Sequence, residues 1–246
     1  MEWPPYSPDL NQCYFFLWGY LKDGLYKDAP ANLNGLGKAI RKQTTFSNTV
    51  LNIVHEGKID YKKIIFTDKC HYHLEGFVNK QNWRHWGSEP PNFVAVQPLH
   101  PKRVTVWEGI YYGGVIGPIV FQNSVTGEAY TKLLKEKIIP ELESKDLLDD
   151  HWWMQDEAPP HRVSKALQVL NDNFQERVIG LDYPKKYGIG MDWPANSPDL
   201  NPIDFLTWGY TKDKSYKGHT HNMESLQDAI KASFTSIPTV LCGKLS

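Results

Sequence analysis

Three aspartates hold positions from which carboxylates can act together. Asp68 sits inside an apolar run that starts at Ile64-Ile65-Phe66, Asp156 ends a second apolar run, and Asp204 begins a helical stretch after the punctuated segment Ser197 to Pro202. An acid inside a strand is costly to desolvate unless it is paired or metal-bound. Three carboxylates from separate elements supply the hard oxygen ligands and negative charge that Mg²⁺ needs, and they leave positions for water and phosphate. Spacing alone is a weak signal, because 28 acidic residues allow many triples. Simpler roles exist as well: a helix N-terminal acid for Asp204, and an N-cap for Asp156.

Other candidates carry less. Cys70 and His71 are strand neighbours that face opposite sides, so a zinc cluster with His73 is disfavoured. His161 either orients the Asp156 region or bonds locally in the first turn of a helix. Trp83, Trp86 and Trp107 read better as core than as base-stacking platforms. No glycine-rich nucleotide-binding pattern is present.

The elements that must position these acids alternate between strand and helix. Lys62 to Leu74 is β-rich, and Pro101 to Phe121 reads as two strands joined at Gly113-Gly114, a hairpin signal. Tyr130, Leu133, Leu134, Ile138 and Leu142 share one helical face. A short strand ends at Asp156; Pro159 and Pro160 suit the first turn of a helix continued by Val163, Ala166, Leu167, Leu170 and Phe174. A strand at Arg177 to Asp182 follows, then a loop at Asp182 to Gly190, and then helices, the last from Met223 to about Ser236. This order describes an α/β fold, a mixed sheet flanked by helices in the ribonuclease H-like arrangement.

The chain has 246 residues, 41% hydrophobic and 13% aromatic, with a formal charge of -1. That composition suits one sizeable domain with a true core and gives no chain-wide basic footprint for nucleic acid. Three scattered cysteines fit a reducing compartment, and no segment reads as a signal peptide or membrane span. Residues 3–40 align without gaps on residues 193–230, with 19 of 38 positions identical. The expected organisation is therefore a duplicated C-terminal-type segment at 1–45, acting as an appendage, and a main domain at 46–246. In the first copy Tyr14 stands where the second has Asp204, so that copy cannot supply the third carboxylate.

Four segments, FTDKCHYHLEGFVNKQNWRHWG (66–87), PLHPKRVTVWEGI (98–110), WMQDEAPPH (153–161) and WPANSPDLNPIDFLTWGY (193–210), resemble in order the signatures of Tc/mariner-type transposases. They cover nearly everything from about Ile64 to Lys217. The resemblance implies a ribonuclease H-like DDE/D catalytic domain with Asp68, Asp156 and Asp204 as catalytic and metal-binding residues. It further implies Mg²⁺ or Mn²⁺ as the cofactor and phosphoryl transfer at transposon ends and target DNA, hence transposition and integration. The implied partners are DNA and a second copy of the chain in a homodimer, not a membrane, and the implied location is the nucleus. Four departures stand out. Lys69 replaces a usual acid and Glu108 a small or sulfur residue, either of which could lower activity. Asp156 and Asp204 are 48 positions apart, longer than usual. The family's helix-turn-helix region has no room before Asp68. The competing expectation is a catalytically inactive transposon-derived remnant that binds nucleic acid or a partner; a metal-independent glycoside hydrolase is remote.

Overall fold

The computed structural model describes residues 45–74, 101–194, 200–218, 222–239 and 242. The first copy of the repeat, Trp83 and Trp86 lie outside the described residues. Five strands form one sheet: β1 (Ile64–His73), β2 (Arg103–Tyr111), β3 (Gly114–Phe121), β4 (Trp152–Met154) and β5 (Val178–Ile179). The spatial order is β3-β2-β1-β4-β5. The first three strands are antiparallel neighbours, whereas β4 and β5 run parallel to β1. This is the mixed sheet predicted from the segment order, and the β2–β3 turn falls at Tyr112 and Gly113 as the paired glycines required.

Side-chain alternation assigns each face its own helices. On one face Ile65, Trp107 and Trp153 pack under α2 (residues 127–144) and α3 (Ser164–Phe174). The five apolar residues that mark the helical face of α2 are all buried. Its middle widens into a π turn at Leu134–Ile138, next to Pro140, which has no N–H to continue the ladder. On the other face Tyr72, Val104, Val106 and Ile110 pack under α5 (residues 203–216) and α6 (Met223–Thr235). Between α3 and α5 lies α4 (Tyr183–Tyr187). The N-terminal helix α1 (residues 45–55) leans on the β4–β5 edge through Phe46, whose ring meets that of Trp193 edge-on at 5.6 Å.

Three local expectations change. The strand before Asp156 stops at Met154, so Asp156 lies beyond it in a loop. The Pro159–Arg162 segment is a 3-10 turn that precedes α3, with no side-chain cap. Within the predicted 182–190 loop lies α4, which has Pro184 in its first turn and Gly188 (φ 73°) closing it.

Candidate active site

Parallel pairing sets the first two acids side by side. Phe66 is opposite Met154, so Asp68 and Asp156, each two residues further along, occupy matching positions at the C-terminal end of β4. Ligands in such sheets bind at the carboxyl ends of parallel strands. Asp68 is 7% exposed and points to the α5 face. Asp156 is not an N-cap; its Oδ1 accepts from Ala158 N–H at 3.0 Å. The same oxygen lies 2.5 Å from Nδ1 of the fully buried His161. The His161 ring packs against Tyr130 at 4.4 Å, and its carbonyl accepts from Gln155 Nε2.

Helix α5 closes the Asp68 face. Asn201 Nδ2 donates to the Thr67 carbonyl at 3.2 Å, which anchors the segment just before Asp204. Asp204 lies in the first turn of the π segment Ile203–Thr207 that opens α5, as predicted for a helix N-terminal acid. One turn later Trp208 Nε1 donates to Asp68 Oδ2 at 2.6 Å. The cross-strand partner of Asp68 is Glu108, fully buried on the same face, whose Oε1 accepts from the Thr207 hydroxyl. Among the described residues no donor reaches Glu108 Oε2.

The acids therefore sit in unequal electrostatic settings. Burial, and then the charge of Asp156, push the Asp68 carboxyl up to about 6, against the Trp208 hydrogen bond and Lys69. Burial alone would raise Asp156, but His161, Lys69 and the Ala158 amide outweigh it and hold that carboxyl below the ordinary range. Burial pushes Glu108 well above its usual value, with Asp68 adding to the shift. Asp204 and Asp68 both act on Cys70, whose thiol burial pushes up to about 11. Asp68 and Asp156 thus share a field, and Asp204 acts on the same strand. Among the described residues, no three His, Cys, Asp or Glu side chains stand close enough to hold one metal ion.

The structure sets Asp68 and Asp156 side by side past the end of β4, while Asp204 lies in the first turn of α5 and acts on Cys70. Trp208, Thr207 and Asn201 were not foreseen as partners of the site; the i, i+4 spacing of Asp204 and Trp208 was the available signal. Cys70 and His71 do face opposite sides of β1, and Trp107 is core, stacked on Trp153 at 6.1 Å.

No family model matches the chain. A curated relative, the Tc3 transposase of Caenorhabditis elegans, is 27% identical over 186 residues, 73% of this chain and 50% of its own length. The chain thus spans about half the length of that relative. Among solved structures, the Mos1 mariner paired-end complex with Mn has a TM-score of 0.62 at 15% identity, covering 85% of this chain and 58% of that one. The isolated catalytic domain of Mos1 mariner transposase has a TM-score of 0.56 at 15% identity, covering 83% and 84%. These structures share the ribonuclease H-like fold with this chain.

Proposed function

We propose, from a chain that is related to Tc/mariner-type transposases and has the ribonuclease H-like fold of their catalytic domain, that it cleaves and transfers DNA strands at transposon ends by metal-dependent phosphoryl transfer. The observation that carries this reading is the pair Asp68, on β1, and Asp156, in the loop two residues past the end of the adjacent parallel strand β4, with the charge of Asp156 felt at Asp68. Two oxygen donors whose charges conflict fit a divalent cation, Mg²⁺ or Mn²⁺, which relieves that conflict. The likeness to the Tc3 transposase and to the Mos1 transposase in complex with a transposon end supports DNA as the substrate.

In this reading Asp68 and Asp156 would hold the cation, and Asp204 would have to move in with the N-terminal turn of α5 to become the third ligand, because the three carboxylates do not already surround one point. A bound ion would supply Lewis-acid stabilisation of charge on the transferring phosphoryl group. The protein's own part is positional. His161 and the Ala158 amide fix the Asp156 carboxylate and keep it ionised. Trp208 fixes the Asp68 carboxylate through one oxygen. Lys69 sits near enough to both to offset their charge. Nuclear residence and pairing of two copies belong to the same reading. So does the division into an appendage at 1–45 and a catalytic domain at 46–246.

The test is nicking of supercoiled plasmid DNA in Mg²⁺ by the full chain. Asp156→Asn keeps the side chain's shape and removes the charge that holds the ion, so nicking falls by at least about 100-fold while the far-ultraviolet circular dichroism is unchanged. Equal metal-dependent nicking by both proteins would place the chemistry elsewhere, and DNA binding without nicking in the parent would leave an inactive remnant.

A further inference from the structure

The face of the sheet opposite Asp68 carries a cleft of about 530 Å³ that the proposed chemistry does not use. Its floor is β1 and β2: Lys69 and His71 alternate along one strand, with Thr105 directly across from His71 and Arg103 two residues before it. The walls are residues 121–125 after β3 and the turn at Ala158 to Pro160. No acid lines the cleft among the described residues. Neither Lys69 nor Arg103 makes an ion pair with another described residue, although ion pairs tie up Lys63, Arg162 and Lys217 elsewhere. The positive charge is felt locally: His71 is pushed down to about 4, first by burial and then by Arg103, His73, Lys69 and Lys212.

One end of the cleft reaches the acids. Ala158, in its wall, donates its N–H to Asp156, and the charge of Lys69 acts on both Asp68 and Asp156. Lys69 and His71 are two strand residues apart, about 7 Å at ~3.4 Å per residue, a separation comparable to that of successive phosphates along a nucleic-acid strand. Arg, Lys and small hydroxyl or amide side chains are the usual donors to phosphate oxygens, and Thr105, Asn123 and Ser124 line the same space.

We propose that this cleft seats the phosphodiester backbone of a DNA strand beside Asp156, with Arg103 and Lys69 as its charged contacts. The assignment rests on the reading of the acids as a DNA-cleaving site. Contacts of this kind read no sequence; they set the register of a strand so that one phosphate meets the carboxylates.

Binding of fluorescein-labelled single-stranded and duplex oligonucleotides of mixed sequence to the full chain, measured by anisotropy in EDTA at several salt concentrations, tests this. Arg103 is exposed, so Arg103→Gln leaves the fold intact. It should weaken binding about 5- to 10-fold for every sequence and reduce the slope of log K against log salt by about one. Lys69→Gln should do the same, and Lys231→Gln, on the far side of the sheet, should change neither quantity. Parental affinity and salt slope in both cleft variants would overturn the proposal. So would saturation of the cleft by inorganic phosphate at low millimolar concentration, which would mark a free-phosphate site. Because no metal is present, the outcome separates from the enzymatic reading. Binding lost in Arg103→Gln with no nicking by the parent sinks that reading and keeps the cleft; unchanged binding with nicking intact does the reverse.

Discussion

At neutral pH Asp156 is firmly ionised while Asp68, pushed up to about 6, is only just so, a split imposed by His161 on one side and by burial beneath α5 on the other. Glu108 goes further, because burial raises its carboxyl well above the ordinary range. A folded-state pKa above the unfolded value means that the native chain holds the proton more tightly. The stability this gives is complete below the usual glutamate range and is lost as pH rises through the folded pKa. Glu108→Gln cannot ionise and keeps an oxygen for the Thr207 hydroxyl. It should therefore unfold at higher urea than the parent at pH 8, by about 1–3 kcal/mol, with the gap closing toward pH 4.5. A gap independent of pH would show that Glu108 is not held protonated. The strand that carries Asp68 and the apolar run that leads to Asp156 were legible in the sequence from their apolar patterning. The Thr207 to Glu108 bond and the donor role of Trp208 were not, since each joins residues about 100 or more positions apart and only the folded register brings them together.

Helix α5 is the element that closes over Asp68, and several side chains hold it there, among them Asn201 on the Thr67 carbonyl, Trp208 on Asp68 and Thr207 on Glu108. Hydrogen bonds to charged groups are worth about 1.5–3 kcal/mol. Trp208→Phe should cost about that much in equilibrium unfolding at pH 7 and push Asp68 higher still. A loss of well under 0.5 kcal/mol would mean that the indole N–H does not anchor the helix. A second element-scale contact is the return of the chain at Gly190 (φ 80°), where Met191 N–H donates to the Val178 carbonyl at 2.8 Å. A Cβ there would sit 2.7 Å from that same carbonyl oxygen. Gly190→Ala should lower stability by about 1–3 kcal/mol, read as a shifted urea midpoint, and an unshifted midpoint would contradict the strain. Element types and order were readable from periodicity: the β2–β3 hairpin, the buried face of α2 and the extent of α6 follow the apolar spacing. What periodicity does not carry is where a strand stops. β4 ends two residues before Asp156 because its pairing with β1 and β5 ends there. The α4 turn within the 182–190 segment was signalled by Pro184 and Gly188, but a five-residue helix has too few apolar positions for its period to show.

Taken as a whole the chain is nearly neutral, with a formal charge of -1, and no helix among the described residues is long and apolar enough to cross a membrane. A neutral protein has no long-range field to draw in a polyanion, so attraction to DNA must come from local clusters such as Lys69 with Arg103. Binding should accordingly be weak, indifferent to sequence and steeply weakened by added salt, because releasing counterions from DNA gains less when salt is already high. Titrations with terminal-repeat and scrambled duplexes at two salt concentrations check this, and a strong preference for one sequence would contradict it. The central proposal is that Asp68 and Asp156 hold a divalent ion that Asp204 joins on binding, since the three carboxylates do not surround one point beforehand. The most direct test is calorimetric titration of the full chain with Mn²⁺ at pH 7.5, repeated on Asp68→Asn, Asp156→Asn and Asp204→Asn. The account predicts binding by the parent and a loss of at least about tenfold in affinity for each variant, since each removes one charged oxygen ligand; parental affinity in any of the three would contradict it.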